Sequence, residues 1–226
     1  RNGYPTYHNI MNLSLEYLIK EPKIKKDTNP LLLLLHGYGS NEADLFSFAS
    51  ELPEDYYIVS ARAPYDLQYG SHAWYAINFD ADENKFSDHE QAKISRDLIG
   101  TFLDELLDNY PINKDNITLI GFSQGAILSY GVALSHPDRV KNVIGLSGYV
   151  SEPILSEGFE KNDFSKLGVF ASHGTVDQVI PVEWARKSDA FLTQLGIAHT
   201  YKEYPIGHGV SPQVFFDFKN WLQQHS

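Results

Sequence analysis

The segment "NITLIGFSQGAILSYGVAL" (residues 116–134) reads as a strand, a tight turn and a helix. Residues 117–122 form a short apolar run that suits a strand, and "GAILSYGVALSHP" continues as a helix that stops at Pro137. Ser123 sits at the joint, between Gly121 and Gly125. A G-x-S-x-G pattern alone arises by chance in about one chain of this length in ten to twenty, so its setting has to decide. A strand–turn–helix setting is what a nucleophile elbow requires. The turn is so tight that glycines must leave room for crossing backbone, and the serine is pushed to the top with Oγ exposed. The competing reading is a serine that lies between two glycines by accident.

Working outward, the same alternation recurs. "LSLEYLIK" alternates apolar and polar residues and reads as a half-buried strand. The runs at 31–36, 57–63, 117–122, 140–148 and 167–174 are short and continuously apolar, as in parallel strands covered on both faces. Helical patterns lie between them. They are "EADLFSFASEL" with Asn41 as N-cap, "HEQAKISRDLIGTFLDELLDNY", the helix after Ser123, "PVEWARKSDAFLTQL" with Pro181 near N1, and "PQVFFDFKNWLQQ". This order predicts an α/β fold, a mostly parallel central sheet with helices on both faces. The one long irregular stretch, 64–88, carries Trp74, Tyr75 and several acidic residues, and reads as a functional or mobile loop.

In such a sheet, ligands collect beyond the carboxyl ends of the strands. A serine hydroxyl needs an adjacent general base. Besides His173, four histidines follow Ser123. His136 ends a helix, His199 opens an alternating strand, and His225 lies at the C-terminus. His208, in the loop "YPIGHGV" between a strand and the last helix, is the best base by position. Asp177, in "ASHGTVDQVIP" beyond the strand at 168–173, is the carboxylate to orient it, giving the chain order Ser…Asp…His. Taken singly, Asp177 reads equally well as a turn residue and His208 as a polar loop histidine. An acyl-transfer site also needs N–H groups for the developing oxyanion. The backbone N–H of Gln124, after the nucleophile, supplies one, and the loop His36-Gly37-Tyr38-Gly39 supplies the other through Tyr38. A plain βα turn would want the same glycines. His36 and His173, each in an "HG" segment, read as packing or hydrogen-bonding residues rather than as second bases.

Composition removes several alternatives. The chain has 226 residues, enough for one domain with a sizeable core. Its lack of cysteine excludes thiol nucleophiles, thiolate zinc sites and disulfide scaffolds. A net charge of −11, with "KEPKIKK" (20–26) as the one dense basic run, argues against nucleic-acid binding. No apolar run approaches the roughly 20 residues of a membrane span. The single methionine, Met11, precedes the first strand. This gives the expectation that residues 1–10 are an appended segment, that 11–226 form one domain, and that the protein is cytoplasmic.

Together "LLHGYGSNEADL", "GFSQGAILSY", "SHGTVDQVIP" and "GHGV" resemble the phospholipase/carboxylesterase family of α/β-hydrolases, which includes the acyl-protein thioesterases. The likeness runs from about Leu31 to the C-terminal helix. It implies an α/β-hydrolase fold without a large cap domain, acting on carboxylic esters or thioesters with no cofactor and no metal. The family's triad falls on Ser123, Asp177 and His208, and its oxyanion donors on the backbone of Tyr38 and Gln124. "HAWYAI" resembles the family's Trp-aromatic segment beside the active site, which makes Trp74 a substrate-pocket candidate; a loop-anchoring tryptophan is the equal alternative. Two residues depart from the pattern: Ala126, where many members have a second glycine, and Tyr38, where a smaller residue is common. The acidic stretch "NFDADENKFSDHE" looks more like bacterial esterases of the family. The expected function is a serine carboxylesterase acting on small-molecule esters, with no integral membrane association and a homodimer left open. Lysophospholipid or S-acyl-protein hydrolysis is the alternative within the fold. A catalytically silent binding module is the rival from another class.

Overall fold

The computed structural model describes residues 11–79 and 85–226. The appended segment expected at 1–10 and residues 80–84 of the acidic stretch lie outside the described residues. Seven strands form the main sheet: β1 (Tyr17–Lys20), β2 (Asn29–Leu35), β3 (Tyr57–Ala61), β8 (Ile112–Phe122), β9 (Asn142–Leu146), β10 (Gly168–Gly174) and β11 (Ala198–Tyr204). The four intervening strands make two small ribbons in the 64–88 stretch. In one, β4 (Tyr65–Asp66) pairs with β5 (His72–Ala73); in the other, β6 (Ile77–Phe79) pairs with β7 (Lys85–Ser87). The helices are α1 (Ala43–Phe46), α2 (His89–Asn109), α3 (Gln124–Ser135), α4 (Val182–Gln194) and α5 (Pro212–His225).

The main sheet runs in the order β1-β3-β2-β8-β9-β10-β11. β1 pairs antiparallel with β3, and the other neighbours are parallel. Alternate side chains of a strand point to opposite faces, so the unbroken run Leu31–Leu35 feeds two cores. Leu31, Leu33 and Leu35 join Leu119, Val143 and the helix residues Phe102 and Leu103 on one face. Leu32 and Leu34 join Ile120, Ile144, Phe218 and Trp221 on the other. Every residue of α3 is buried, which is why "QGAILSYGVALS" lacks the polar stripe of a surface helix.

Three elements differ from the sequence reading. "EADLFSFASEL" is broken into α1 and a 3₁₀ turn at Ala49–Glu51. Ser47 and Phe48 donate three residues back, to Asp44 (3.2 Å) and Leu45 (3.0 Å), so the coil tightens and ends. The N-cap position of α1 is Glu42, while Asn41 Oδ1 accepts the Ala43 N–H at 2.9 Å. β8 starts at Ile112, five residues before the expected Ile117, because its pairing with β2 jumps from Asn29↔Ile112 to Leu31↔Ile117 and the polar residues between are extra.

Candidate active site

β8 ends at Phe122, α3 begins at Gln124, and Ser123 between them has φ 55° and ψ −116°. A non-glycine residue held at positive φ costs about 1–3 kcal/mol and persists only where its surroundings fix it. They do so here. The Ser123 N–H donates to Leu146 O at 2.8 Å, and its carbonyl accepts from Ala126 (2.9 Å) and Ile127 (3.1 Å). The flanking glycines are sterically required: a Cβ on Gly121 would run into the Gly125 carbonyl, and one on Gly125 into the Leu35 carbonyl. The strained serine therefore follows from packing the start of α3 onto the end of β2.

Two further strand ends bring their loops to this serine. His208 Nε2 lies 3.0 Å from Ser123 Oγ, and its Nδ1 lies 2.7 Å from Asp177 Oδ2. Since a carboxylate only accepts, Nδ1 carries the proton and Nε2 is free to accept from the hydroxyl. The His208 ring sits 4.9 Å from the Phe122 ring, tilted 47°. The Asp177 side chain is wholly shielded from solvent, and its other oxygen accepts the N–H groups of Val179 (2.8 Å) and Ile180 (2.9 Å). Burial alone would raise the Asp177 carboxyl, but the Ile180 amide, His208 and the Val179 amide outweigh it, and the group sits below its ordinary range. The parallel pairing of β10 with β11 carries on into the two loops. Thr175 N–H reaches Tyr204 O at 2.8 Å and Val176 N–H reaches Ile206 O at 3.2 Å. Three other downstream histidines are engaged elsewhere. His199 bonds Asp189 at 2.7 Å, His225 stacks on Trp221 at 4.1 Å, and His136 caps α3.

On the other side of Ser123 lies the loop after β2. A Cβ on Gly37 would stand 3.3 Å from the Ser123 Cβ, so this loop rests directly on the nucleophile candidate. The Tyr38 N–H has no acceptor among the described residues. Nor does Gln124 N–H, as expected at the first turn of a helix. The Tyr38 ring itself is 45 % exposed.

A buried hydrogen-bond chain, largely missed by the sequence reading, holds this side in place. His36 Nε2 accepts the Ala63 N–H at 3.0 Å, so Nδ1 carries the proton and donates to Gly37 O at 2.7 Å. Burial lowers the His36 pKa, opposed by that bond to Gly37, so the ring is held neutral. His36 O accepts the Trp74 indole N–H at 2.8 Å. Gln124 then brackets the same strip, its Oε1 accepting Trp74 N–H (2.8 Å) and its Nε2 donating to Tyr75 O (2.9 Å). The expectation that Trp74 lines the substrate pocket is therefore corrected. The residue has no exposed surface, and its indole anchors the loop behind the site. These partners lie 38 to 50 residues apart, and no local period announces them.

Beyond β9, the loop starting at Tyr149 and the first turns of α4 enclose a cleft of about 430 Å³. Tyr149 and Trp184 meet edge to face at 5.0 Å, with Phe191, Pro153 and Lys187 also lining it. Gly148, one residue earlier, packs against the backbone of Ser123.

A parallel sheet with one antiparallel edge strand, a strained serine between strand and helix, and a histidine and an aspartate from later strand ends define the class of α/β-hydrolases. Within it the chain belongs to the Phospholipase/Carboxylesterase family, whose model matches residues 18–226. It is 27 % identical to the Acyl-protein thioesterase 1 of Emericella nidulans over 90 % of this chain and 92 % of that one. It is also 27 % identical to the protein of the same name from Yarrowia lipolytica, over 86 % and 91 %. The Bacillus cereus carboxylesterase structure superposes with a TM-score of 0.81 at 22 % identity, covering 96 % of both chains. No helix among the described residues is long and apolar enough to cross a membrane.

Proposed function

We propose that the protein is a serine esterase that hydrolyses small carboxylic esters through an acyl-enzyme intermediate, with residues 11–226 acting as one catalytic domain. The observation that carries this reading is the unbroken relay Ser123–His208–Asp177, at 3.0 and 2.7 Å, ending on a serine held at positive φ. His208 Nε2 takes the hydroxyl proton as Oγ attacks the acyl carbon. Asp177 holds the tautomer and stabilises the imidazolium. The amides of Tyr38 and Gln124 receive the oxyanion. Collapse expels the alcohol, which takes the proton from His208, and water attacks the acyl-enzyme by the same route.

Hydrolysis of p-nitrophenyl esters across acyl lengths tests the substrate class. Turnover should peak at short acyl groups; activity rising beyond octanoyl would instead favour the S-acyl-protein or lysophospholipid reading, which the likeness to proteins named acyl-protein thioesterases supports. A wild type inert to every ester would favour the silent binding module. The cytoplasmic location expected from the sequence belongs to the same proposal, and recovery of the native protein from a secreted or membrane fraction would count against it.

A further inference from the structure

We propose that His173 is a positioning residue for Asp177, fixing the carboxylate oxygen that faces His208; this rests on the esterase reading above. His173 is the penultimate residue of β10, just before Gly174, and its side chain has no exposed surface. Its Nε2 lies 2.8 Å from Ile180 O and 3.3 Å from Asp177 Oδ2. A backbone carbonyl only accepts, so Nε2 carries the proton. That N–H is committed to the carbonyl, and Asp177 Oδ2 lies beside it at 3.3 Å, within electrostatic reach but beyond the usual hydrogen-bond range. The same Oδ2 takes the His208 proton at 2.7 Å.

The other ring nitrogen closes the argument. Nδ1 is buried and has no partner among the described residues. If packing were the only requirement, an apolar ring would fill the space without leaving a nitrogen unsatisfied, and a bare buried acceptor is unfavourable. The tautomer that the structure satisfies is the one that donates to Ile180 O and so keeps an N–H beside Asp177 Oδ2. Three donors then converge on a shielded carboxylate, Val179 and Ile180 on Oδ1 and His208 on Oδ2, with the His173 N–H close beside Oδ2 at 3.3 Å. Two of them, Val179 and Ile180, come from the loop that His173 holds through the Ile180 carbonyl. His173 is itself anchored next to the base loop, because the following Gly174 packs so closely on Ile206 and Gly207 that a Cβ there would strike their carbonyls. Loss of that N–H would release the Ile180 carbonyl, and with it the loop whose amides hold Asp177, and so loosen the alignment of His208, an effect on the chemical step and not on substrate binding.

The test compares His173→Phe, which keeps ring volume and removes both nitrogens, with His173→Gln, whose amide N–H can stand in for Nε2–H. With a p-nitrophenyl ester that the wild type turns over, His173→Phe should lower kcat about tenfold at unchanged KM, the scale of one lost hydrogen bond. His173→Gln should recover most of that loss. In the ¹⁵N-labelled wild type, long-range ¹H–¹⁵N correlation should find His173 protonated on Nε2, a readout that needs no variant to fold. A folded His173→Phe with wild-type kcat, equal losses in both variants, or a His173 protonated on Nδ1 would each overturn the role. A wild type that neither hydrolyses esters nor labels with a fluorophosphonate would overturn the esterase reading itself, a separate outcome.

Discussion

His36-Gly37 and His173-Gly174 are the same dipeptide at the carboxyl ends of two parallel strands, and both histidines are buried. Their surroundings demand opposite tautomers. His36 faces the donor Ala63 N–H and therefore keeps its proton on Nδ1. His173 faces the acceptor Ile180 O and keeps its proton on Nε2. The first histidine braces the loop that carries the Tyr38 amide, and the second leans on Asp177. The comparison teaches that a buried histidine's role is set by what the neighbouring loop offers its two nitrogens, which the dipeptide does not encode.

The sharpest way to break the comparison is on the Asp177 side. Asp177→Asn should lower kcat by about 10⁴-fold, because an amide can donate toward Nδ1 and favours the unproductive tautomer of His208. A steady-state assay showing less than a tenfold loss would mean that the relay does not operate. On the other side, His36→Phe leaves the Ala63 N–H and the Gly37 carbonyl without their partner. It should destabilise the fold by about 1–3 kcal/mol in urea titration. It should also lower kcat by up to about a hundredfold, the scale of losing one oxyanion donor. Unchanged stability and activity would remove His36 from the account. Trp74→Phe deletes the indole donor to His36 O and leaves a small cavity at a fully buried site, and should cost about 2–3 kcal/mol with a smaller change in kcat; a large rise in KM would restore Trp74 to the substrate pocket.

The smallest effect is on stability against pH. Asp177 is held below its ordinary range in the folded protein. Its contribution is therefore complete above the unfolded value, about 3.9, and fades as pH falls through the depressed folded value. Wild type and Asp177→Asn should converge in thermal stability as the pH is lowered below about 4. A difference that stays constant across that range would show that the carboxylate is not preferentially stabilised by folding.

Much of this arrangement was legible before the structure, for a physical reason. A parallel sheet gathers the ends of its strands at one edge, so reading which loops leave strands sufficed to nominate residues 123, 177 and 208, which meet within hydrogen-bond distance. The strand–helix alternation was legible because continuous apolar runs mark strands buried on both faces. What escaped depends on contacts with no sequence period. The Gln124 bracket on residues 74 and 75, the place of Trp74 behind the site, the break in α1 and the early start of β8 all depend on partners that only the assembled sheet brings close.

The central claim is that Ser123 is the nucleophile, activated by its elbow and by His208. Incubation with a fluorophosphonate followed by peptide mass mapping tests it most directly. The account expects one stoichiometric adduct, located on Ser123, lost in Ser123→Ala and slowed by orders of magnitude in His208→Ala. An unlabelled wild type, an adduct on another residue, or labelling that survives Ser123→Ala would contradict it.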